Sequence, residues 1–351
     1  MKLNIAVVGC GLIGREHAQL IKSASQCRLT AIVDPNAEAA QVAQMHGCQY
    51  FPDLTALLNQ QPPDGIVIAT PNHLHATQAQ QCIEANIAVL IEKPVAHSLE
   101  AGQTLLKQVQ HQTAKVLVGH HRAHSPFMRH AASLVSAGLL GNLVAIQGSA
   151  LFYKPDDYFE TSPWRTQSGG GPILINLIHE IGNLRHLCGE IVSVQAMSSH
   201  VHRGFDVEES CAMLFRFENG ALGTFILSDV AASSRSWEQT SQENKHYATY
   251  PDEDCYIITG TQGSLSVPTM RLQRFNENSQ RSWWQPMECT TLPLERQDPL
   301  KRQLDHFCDV ITGHSAPLVS IQDGLQNLLV IDAIQTSITS QKAHQVAQLR
   351  A

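Results

Sequence analysis

The sequence lacks a long apolar run, a Cys-x-x-Cys pair and an excess of basic residues. No stretch approaches the ~18 uninterrupted apolar residues of a membrane-spanning helix, so we expect no membrane segment. The 24 Lys and Arg residues are outnumbered by 31 Asp and Glu residues. This balance argues against nucleic acid as a partner, because neutralising phosphates requires basic residues. With 43% apolar and 16% charged residues among 351, the chain has the composition of a folded globular protein.

Nine cysteines are spread along the chain, and their odd number fits no closed set of disulfides. Reduced thiols are the simpler interpretation, and they favour the cytoplasm as the location. A metal site is not expected either. His121 and His124 follow the end of a strand pattern, and no Cys or carboxylate joins them in a recognised ligand spacing.

Strand and helix patterns alternate over the first third of the chain. Short apolar runs typical of buried strands lie at 3–8, 29–33, 65–69, 89–91 and 116–118. Helical patterns separate them at 14–24, 37–46, 74–85 and 98–112. This alternation predicts right-handed βαβ units and a doubly wound parallel sheet, that is, an α/β Rossmann domain over residues 1–121.

After residue 121 the pattern changes, which predicts a second, α+β domain over residues 122–351. Long alternating segments at 143–152, 210–217 and 221–228 predict a mainly antiparallel sheet, with Asn219-Gly220 as a hairpin turn. Helices are predicted at 126–137, 172–187 and 321–340. Residues 229–300 show little periodicity, and only one strand is predicted there, at 255–259.

A glycine-rich loop, Gly9-Cys10-Gly11-Leu12-Ile13-Gly14, lies between the first predicted strand and the first predicted helix. The first glycine permits a tight turn, the second lets the backbone approach a pyrophosphate, and the third lets helix pack on strand. The helix N-terminus supplies N–H donors to the phosphates. The residues predicted to bind a dinucleotide here are Gly9, Gly11, Leu12, Ile13, Gly14 and Asp34.

Asp34 ends the second strand, 20 residues beyond Gly14. Its carboxylate can accept hydrogen bonds from both ribose hydroxyls and would repel a 2′-phosphate, which favours NAD over NADP. The alternative is that Asp34 caps the helix predicted to begin near residue 37.

Two further segments close strands at the edge where open parallel sheets bind ligands: Ala69-Thr70-Pro71-Asn72 and Glu92-Lys93-Pro94. Together with the glycine loop, His75, the Trp164-Arg165 pair, and Gly169-Gly170-Gly171 followed by His179, they resemble the glucose–fructose oxidoreductase, inositol dehydrogenase and MocA family. The order and spacing match from residue 3 to about residue 190.

The resemblance implies a Rossmann domain followed by a domain with an open, mainly antiparallel sheet that binds substrate and forms oligomers. It implies a nicotinamide cofactor, a hydroxyl carbon of a sugar or cyclitol as the reacting centre, and a dimer or tetramer. Further cofactor contacts implied by the family are Thr70, Pro71, Asn72, His75, Glu92 and Lys93. Substrate contacts are expected at Lys93, His121, Arg122, Tyr153, Trp164, Arg165, Asn176 and His179.

Lys93 and His179 correspond to the two catalytic residues of the family, and the peptide bond before Pro94 is often cis there. A lysine beside the nicotinamide can hydrogen-bond the reacting oxygen and exchange its proton, and imidazole suits proton transfer near neutrality. The alternatives are an ion pair between Lys93 and Glu92, and a core role for His179. The segment from Tyr153 to Arg165 is either a carbohydrate contact or a loop packed on its own sheet.

Two positions depart from the family. Many of its sugar dehydrogenases have Asp four residues before the histidine and three after it, where this chain has Ile175 and Gly182. Asn176 lies three residues before His179, on about the same helix face, and is the polar group expected to hydrogen-bond substrate instead. This difference leaves the substrate open.

The sequence therefore predicts an NAD-dependent oxidoreductase acting on a secondary alcohol carbon of a sugar, sugar acid or cyclitol. Two alternatives remain. One is an enzyme that keeps NAD bound and uses transient oxidation to cleave a glycosidic bond. The other is a dinucleotide-binding sensor or scaffold without catalysis.

Overall fold

The computed structural model describes residues 2–167, 169–244, 246–276 and 280–349. The chain forms two compact units. The first contains Met1–His121 and Leu300–Leu328, and the second contains Arg122–Pro299 and Leu329–Ala351. The sequence predicted a second domain over residues 122–351. In the structure, residues 300–328 of that range belong to the first unit.

Six parallel strands form the sheet of the first unit within the described residues, in the order β3-β2-β1-β4-β5-β6. The strands are β1 (Leu3–Val8), β2 (Cys27–Val33), β3 (Gln49–Phe51), β4 (Gly65–Ile68), β5 (Ala88–Glu92) and β6 (Val116–Gly119). The helices are α1 (Leu12–Ser23), α2 (Ala39–His46), α3 (Leu54–Gln60), α4 (Asn72–Glu84), α5 (Leu99–Gln112) and, later in the chain, α10 (Pro299–Thr312).

The parallel sheet confirms the predicted Rossmann architecture. Every residue of β4, β5 and β6 is buried, as expected for strands covered on both faces. Strand order reverses between β1 and β4, and this switch point is where open α/β sheets bind ligands, at the carboxyl ends of the strands. The short elements β3 and α3 were not predicted.

Helix α10 explains why residues 300–328 belong to the first unit. Leu304, Phe307 and Cys308 are buried in one apolar cluster with residues of β1, β4 and β5, and Ile311 packs against it. The spacing i, i+3, i+4, i+7 is that of an amphipathic helix with one apolar stripe. Burying this stripe removes apolar surface from water, which holds the segment on the first unit.

Nine strands form the sheet of the second unit within the described residues, in the order β14-β13-β12-β11-β7-β10-β9-β8-β15. The strands are β7 (Leu143–Leu151), β8 (Ile191–Ser199), β9 (Ser210–Phe217), β10 (Leu222–Ser228), β11 (Tyr256–Gly260), β12 (Gly263–Val267), β13 (Arg271–Arg274), β14 (Glu288–Thr291) and β15 (His344–Gln345). Neighbouring strands are antiparallel except for β7 and β10, which are parallel.

The remaining helices and helical turns follow in chain order. They are α6 (Pro126–Ser136), α7 (Asp156–Glu160), α8 (Ile178–Cys188), α9 (Trp237–Ser241) and α11 (Ile321–Ser340), with 3₁₀ turns at His121–His124 and Pro163–Thr166 and a π-helical turn at Ile173–Leu177. Helix α11 has the predicted bounds and crosses from the first unit into the second.

The predicted hairpin joins β9 and β10. Gly220 has φ +88°, and Asn219 Oδ1 accepts the Ala221 N–H at 3.0 Å, so this turn uses the conformational freedom of glycine. Alternate residues of β9 and β10 are buried and exposed. The exposed face carries apolar side chains, among them Met197, Leu214 and Ile226. The described part of residues 229–300 contains four strands, β11–β14, where the sequence predicted one.

All nine cysteines are free thiols. Among the described residues, no cluster of three or more His, Cys, Asp and Glu side chains could hold a metal ion. Across the same residues, no helix combines the length and the apolar character needed to cross a lipid bilayer.

Candidate active site

The three glycines of the glycine-rich loop differ in what surrounds them. A Cβ atom on Gly9, which has φ +97°, would lie 2.5 Å from the Ala69 carbonyl oxygen, and one on Gly14 would lie 1.9 Å from the Gly9 carbonyl oxygen. A Cβ atom on Gly11 would meet nothing within 4 Å. Gly9 and Gly14 are therefore required by the fold, whereas Gly11 keeps open the space where α1 begins.

This open space fits the pyrophosphate of a dinucleotide. Gly11 is the N-cap residue of α1 and has no side chain to cap the first turn. The N–H groups at a helix start are donors for anions, and a pyrophosphate can approach them only where no Cβ intervenes. The predicted roles of Leu12 and Ile13 rest on these backbone N–H groups, since both residues lie in the first turn.

Asp34 is held beside the same loop by backbone donors. Its Oδ2 accepts the Cys10 N–H at 2.7 Å, and its Oδ1 accepts the Asn36 N–H at 2.9 Å. Each carboxylate oxygen has a second lone pair, so acceptor capacity is left for ribose hydroxyls. The helix-capping alternative does not describe this geometry, because α2 begins at Ala39 with Glu38 as its N-cap.

The loop after β4 leads directly into α4, which begins at Asn72 with Pro71 as its N-cap. Thr70 Oγ1 donates to Gln78 Oε1 at 2.6 Å. His75, predicted as a cofactor ligand, is buried, and its two ring nitrogens lie 2.7 Å from the Pro94 carbonyl oxygen and 2.8 Å from the Thr70 carbonyl oxygen. Both ring nitrogens therefore contact backbone carbonyl groups of the chain itself, whereas His75 was predicted to contact the cofactor.

Glu92 and Lys93 follow at the end of β5. Glu92 is buried, its Oε1 lies 2.8 Å from His17 Nε2, and its Oε2 accepts the Lys93 N–H at 3.2 Å. Burial raises the pKa of Glu92, but the hydrogen bond and charge of His17, together with Lys93 and His121, outweigh it and lower the pKa below its usual value. The Lys93–Pro94 peptide bond is cis, as expected.

His17 is a site residue that the sequence analysis missed. It lies three residues after Gly14, on α1, and is 1% exposed. Its partner Glu92 is 75 residues away in the chain, and no spacing rule connects the two. The first unit thus brings the glycine loop, Thr70 and Lys93 to the carboxyl ends of the neighbouring strands β1, β4 and β5.

In the second unit, the buried His179 lies at the start of α8, after the π-helical turn. Such turns are frequent at functional sites. Asn176 belongs to this turn, and its Oδ1 accepts a hydrogen bond from Lys154 Nζ at 2.8 Å. Lys154 is buried as well, and its Nζ lies 3.3 Å from Asp229 Oδ2. No motif in the sequence marks Lys154, although it directly follows the predicted contact Tyr153.

The segment between Tyr153 and Arg165 packs partly on itself and is partly exposed. The Arg165 guanidinium lies 3.8 Å from the Tyr158 ring centroid and donates to the Tyr158 carbonyl oxygen at 2.6 Å, so part of the loop packs on itself. Tyr153 and Trp164 are more than half exposed. Tyr153 also lines a cavity of about 830 Å³ together with Asp156 and His202.

Arg122 lies in a buried ion-pair network and not at an open surface. Its Nη1 donates to Glu180, and its Nη2 donates to Glu238 at 2.8 Å. Tyr256 donates its hydroxyl proton to Glu180 and accepts a hydrogen bond from Asn183 at 3.0 Å. These bonds occupy both terminal amines of Arg122, which differs from the predicted substrate contact.

The network contains the carboxyl groups of Glu180 and Glu238 and a single arginine, and a third carboxyl group, that of Glu243, lies nearby. Burial raises the pKa of Glu180, although Arg122 and Tyr256 oppose the effect. Burial also raises the pKa of the nearby Glu243 to about 8, and its Oε1 accepts the Ser125 hydroxyl at 2.6 Å. Glu180 adjoins His179 in the chain, so the network anchors the helix that carries the candidate catalytic imidazole.

Comparisons with known proteins identify the family of the chain. The model of the GFO_IDH_MocA oxidoreductase family, with an NAD-binding Rossmann fold, matches residues 3–120. The model of the GFO/IDH/MocA C-terminal domain matches residues 128–266. Inositol 2-dehydrogenase of Rhizobium meliloti (strain 1021) is 24% identical and covers 99% of this chain and 100% of its own.

A second relative, 2,7-anhydro-N-acetylneuraminate hydratase of Escherichia coli (strain K12), is 26% identical over 76% of this chain and 67% of its own. Among solved structures, an oxidoreductase from Agrobacterium radiobacter in complex with NAD⁺, L-tartaric acid and magnesium has a TM-score of 0.81. It shares 17% identity over 99% of both chains, which shows the same fold. The two family models and the glycine loop together establish that this chain belongs to the GFO/IDH/MocA oxidoreductase family and that its first unit is the family's NAD-binding domain.

Proposed function

We propose that the protein is an NAD-dependent dehydrogenase that acts on a secondary alcohol carbon of a sugar, sugar acid or cyclitol. The observation that carries the proposal is the position of Lys93 at the end of β5, on the same sheet edge as the open space at Gly11 and the carboxylate of Asp34. The full-length similarity to an inositol 2-dehydrogenase supports this class of substrate.

Bound NAD supplies the hydride acceptor at the nicotinamide. The backbone at Gly11 and the start of α1 binds the pyrophosphate, and Asp34 accepts hydrogen bonds from the adenosine ribose. Lys93 donates a hydrogen bond to the substrate oxygen and exchanges its proton, and His179 is the second proton-transfer group. Holding the reacting carbon in a fixed orientation with water excluded contributes most of the rate enhancement.

The substrate-binding groups of the second unit are polar and include a cation. Ile175 and Gly182 supply no carboxylate, so hydroxyl recognition falls to Asn176 and the buried ammonium of Lys154, which are hydrogen-bonded to each other. Tyr153, Trp164 and Arg165 offer aromatic faces and planar donors of the kind that bind polyols. A hydroxyl-rich substrate fits these groups better than an apolar one.

Replacing Lys93 tests the assignment. We expect Lys93→Met to lower kcat by ~10² or more, because a positioned proton-transfer group is lost, while NAD affinity stays nearly unchanged. The matched control is Lys107→Met, which removes an exposed ammonium from α5 of the same unit. A panel of polyols, followed by NADH absorbance, identifies the substrate. Unaltered turnover in Lys93→Met contradicts the role of Lys93.

A second candidate is a reaction in which NAD is oxidant and reductant in turn, with no net redox change. The similarity to a hydratase supports it, since the named reaction of that relative is not an oxidation. Following product formation and NADH absorbance together separates the two, because only the dehydrogenase accumulates NADH. If the protein binds NAD but turns over no polyol, the result favours the non-catalytic alternative, a dinucleotide-binding sensor or scaffold.

We also propose a cytoplasmic homo-oligomer, a dimer or tetramer. The exposed apolar residues Met197, Leu214 and Ile226 on one face of the second sheet support association of copies of this chain. Light scattering on the purified protein tests it. A monomer at micromolar concentration contradicts this part of the proposal.

A further inference from the structure

The cavity of about 830 Å³ lies in the second unit, beside α7 and the turn that joins β8 to β9. Its volume falls within the range of about 300–1,000 Å³ that small-molecule sites occupy. The wall carries three aromatic rings, two carboxylates and an imidazole: Tyr153, Phe159, Phe205, Asp156, Glu160 and His202. Aromatic faces combined with a few polar groups indicate a ligand that has both apolar and polar surface.

Arg203 also lines the cavity, and its surroundings hold it in place. Its Nη1 donates to Asp229 Oδ1 at 2.7 Å, and its Nη2 donates to the Lys154 carbonyl oxygen at 2.6 Å. The buried carboxylate of Glu209 accepts the N–H groups of His202 and Arg203, both at 2.8 Å. This part of the wall is therefore formed in advance, which lowers the entropy cost of binding a ligand.

One donor of this arginine is left for a ligand. The Arg203 side chain is 8% exposed, and its Nε–H has no acceptor among the residues that the structure describes. A buried donor without an acceptor is costly, and a hydroxyl oxygen can supply the missing partner. The exposed carboxylates of Asp156 and Glu160 can accept the protons of further hydroxyl groups. The polar part of the wall therefore matches a ligand with several hydroxyl groups.

The charges at the cavity favour a neutral ligand. The carboxylates of Asp156 and Glu160 repel an anion. A cation is disfavoured as well, because a guanidinium already lies over the aromatic rings. The Cζ of Arg203 is 4.6 Å from the Phe159 ring centroid and 5.4 Å from the Tyr153 ring centroid. An uncharged, hydroxylated ligand avoids both conflicts.

The aromatic rings suit the flat side of a sugar ring. Tyr153 is 58% exposed although Arg203 lies over it, so one side of its ring is open. A pyranose ring has C–H groups on its faces and hydroxyl groups around its edge. It can bury its C–H face on Tyr153, which removes apolar surface from water, while its hydroxyl groups reach the polar side chains.

We propose that this cavity binds the neutral pyranose ring of a glycoside and that it is a second site, separate from the Lys154–Asn176 pair. Phe159 and Phe205, whose ring centroids are 5.0 Å apart, line the cavity and also the small enclosed space at Lys154, which puts the two rings between them. Binding at this site requires neither NAD nor turnover. The proposal therefore goes beyond the proposed function and does not depend on it.

Saturation-transfer NMR on the full chain without NAD tests the binding. The probes are methyl β-glucoside, methyl β-galactoside and methyl α-mannoside, and we expect at least one to bind saturably with a millimolar Kd. Tyr153→Ala removes the stacking ring and Glu160→Ala removes an acceptor, so each should raise Kd roughly 5-fold or more. The matched control is Tyr250→Ala, an exposed tyrosine of the same unit that does not line the cavity, where Kd should not change. No saturable binding of any of the three probes overturns the proposal.

Asn176→Ala distinguishes the cavity from the site of the proposed function. We expect this variant to bind the same probe with the wild-type Kd, because Asn176 does not line the cavity. If Asn176→Ala loses binding while Tyr153→Ala and Glu160→Ala keep it, the sugar occupies the site at Lys154. That result overturns the second site and leaves the proposed dehydrogenase function intact.

Charged analogues of the glucose probe test the preference for a neutral ligand. Methyl glucuronide adds a carboxylate, and protonated methyl glucosaminide adds an ammonium group. We expect both to bind more weakly than methyl glucoside, the first because of Asp156 and Glu160 and the second because of Arg203. A charged analogue that binds more tightly than methyl glucoside contradicts the assignment of a neutral ring.

Discussion

Each unit contains a glutamate with a largely buried carboxyl group close to its candidate site residues, and the two differ in charge. In the first unit, Glu92 has a lowered pKa, because the effects of His17 and Lys93 exceed the effect of burial. In the second unit, burial and the nearby carboxylate of Glu238 together raise the pKa of Glu243 to about 8. The first glutamate is a fixed negative charge, whereas the second holds a proton at neutral pH.

The contrast reflects how each unit builds its site. In the first unit, the glycine loop, Asp34 and His75 act through backbone N–H and carbonyl groups at strand ends. In the second unit, the buried network consists of side chains from distant parts of the chain, with Glu180 and Glu238 sharing Arg122. The site of the first unit therefore depends on the backbone conformation of its loops, whereas the stability of the network in the second unit depends on the balance of charges between its side chains.

The largest effect is expected from breaking that charge balance. Arg122→Met leaves Glu180 and Glu238 without their cation, and removing one partner of a buried ion pair typically costs about 3–5 kcal/mol. We therefore expect the free energy of unfolding of the second unit to fall by about that amount, measured by urea titration of tryptophan fluorescence, to which the buried Trp237 beside Tyr256 contributes.

The control for Arg122→Met is an exposed ion pair in the same unit. Arg235 and Glu253 are separated by 3.9 Å and are each about half exposed. Exposed pairs contribute about 1 kcal/mol or less, so Arg235→Met should shift the urea midpoint only slightly. Equal shifts in the two variants would mean that the Arg122 network contributes no more than a surface pair.

The next effect concerns the backbone site. Gly14→Ala places a Cβ 1.9 Å from the Gly9 carbonyl oxygen, so the loop must move, and we expect a lower Tm and loss of NAD binding. Gly11→Ala meets no protein atom within 4 Å, so its Tm should equal that of the wild type. Its NAD affinity should still fall roughly 10-fold or more, because the methyl group overpacks the pyrophosphate space.

Calorimetry and thermal unfolding of the two glycine variants separate folding from binding. A Gly11→Ala variant with wild-type affinity contradicts the assignment of that space to the pyrophosphate. A Gly14→Ala variant with unchanged Tm contradicts the close packing of α1 on the loop after β1.

The backbone site was largely predictable from the sequence, because its residues sit at fixed offsets from strand ends. Gly9, Gly14 and Asp34 lie where the spacing placed them, and the parallel strands follow apolar runs that only a doubly covered sheet explains. Local spacing did not reveal the partners of His75 or the pairing of His17 with Glu92. Those contacts join residues on different elements, and no rule of sequence spacing predicts which residues will meet.

The second unit was less predictable for a physical reason. Strands β12–β14 lie in a segment rich in polar residues, and every residue of β14 is exposed, so no burial alternation marks that strand in the sequence. Arg122 was expected to contact the substrate, because the sequence does not show the two carboxylates, 58 and 116 residues away, to which it donates. Helix α10 has a readable apolar stripe, at Leu304, Phe307 and Cys308, but the sequence does not show that it packs on the sheet core of the first unit, which is built from the start of the chain.

The smallest effects come from the two buried glutamates, and they should have opposite pH dependence. Glu243 binds its proton more tightly when folded, so its contribution to stability is complete below its ordinary pKa of 4.5 and is lost as the pH rises towards 8. Glu243→Gln stays neutral, so it should match the wild type near pH 5 and be more stable by about 1–3 kcal/mol at pH 9.

Glu92 has a lowered pKa, so its contribution is present above its ordinary pKa of 4.5 and is lost only as the pH falls below that value. Glu92→Gln should therefore be less stable than the wild type at pH 7, by about 1–3 kcal/mol, because a hydrogen-bonded buried charge is removed. The gap should close in acid, whereas the gap for Glu243→Gln opens in base. Urea titrations from pH 4 to pH 9 measure both, and parallel pH profiles for the two variants would show that the two units do not differ in how they hold their buried carboxylates.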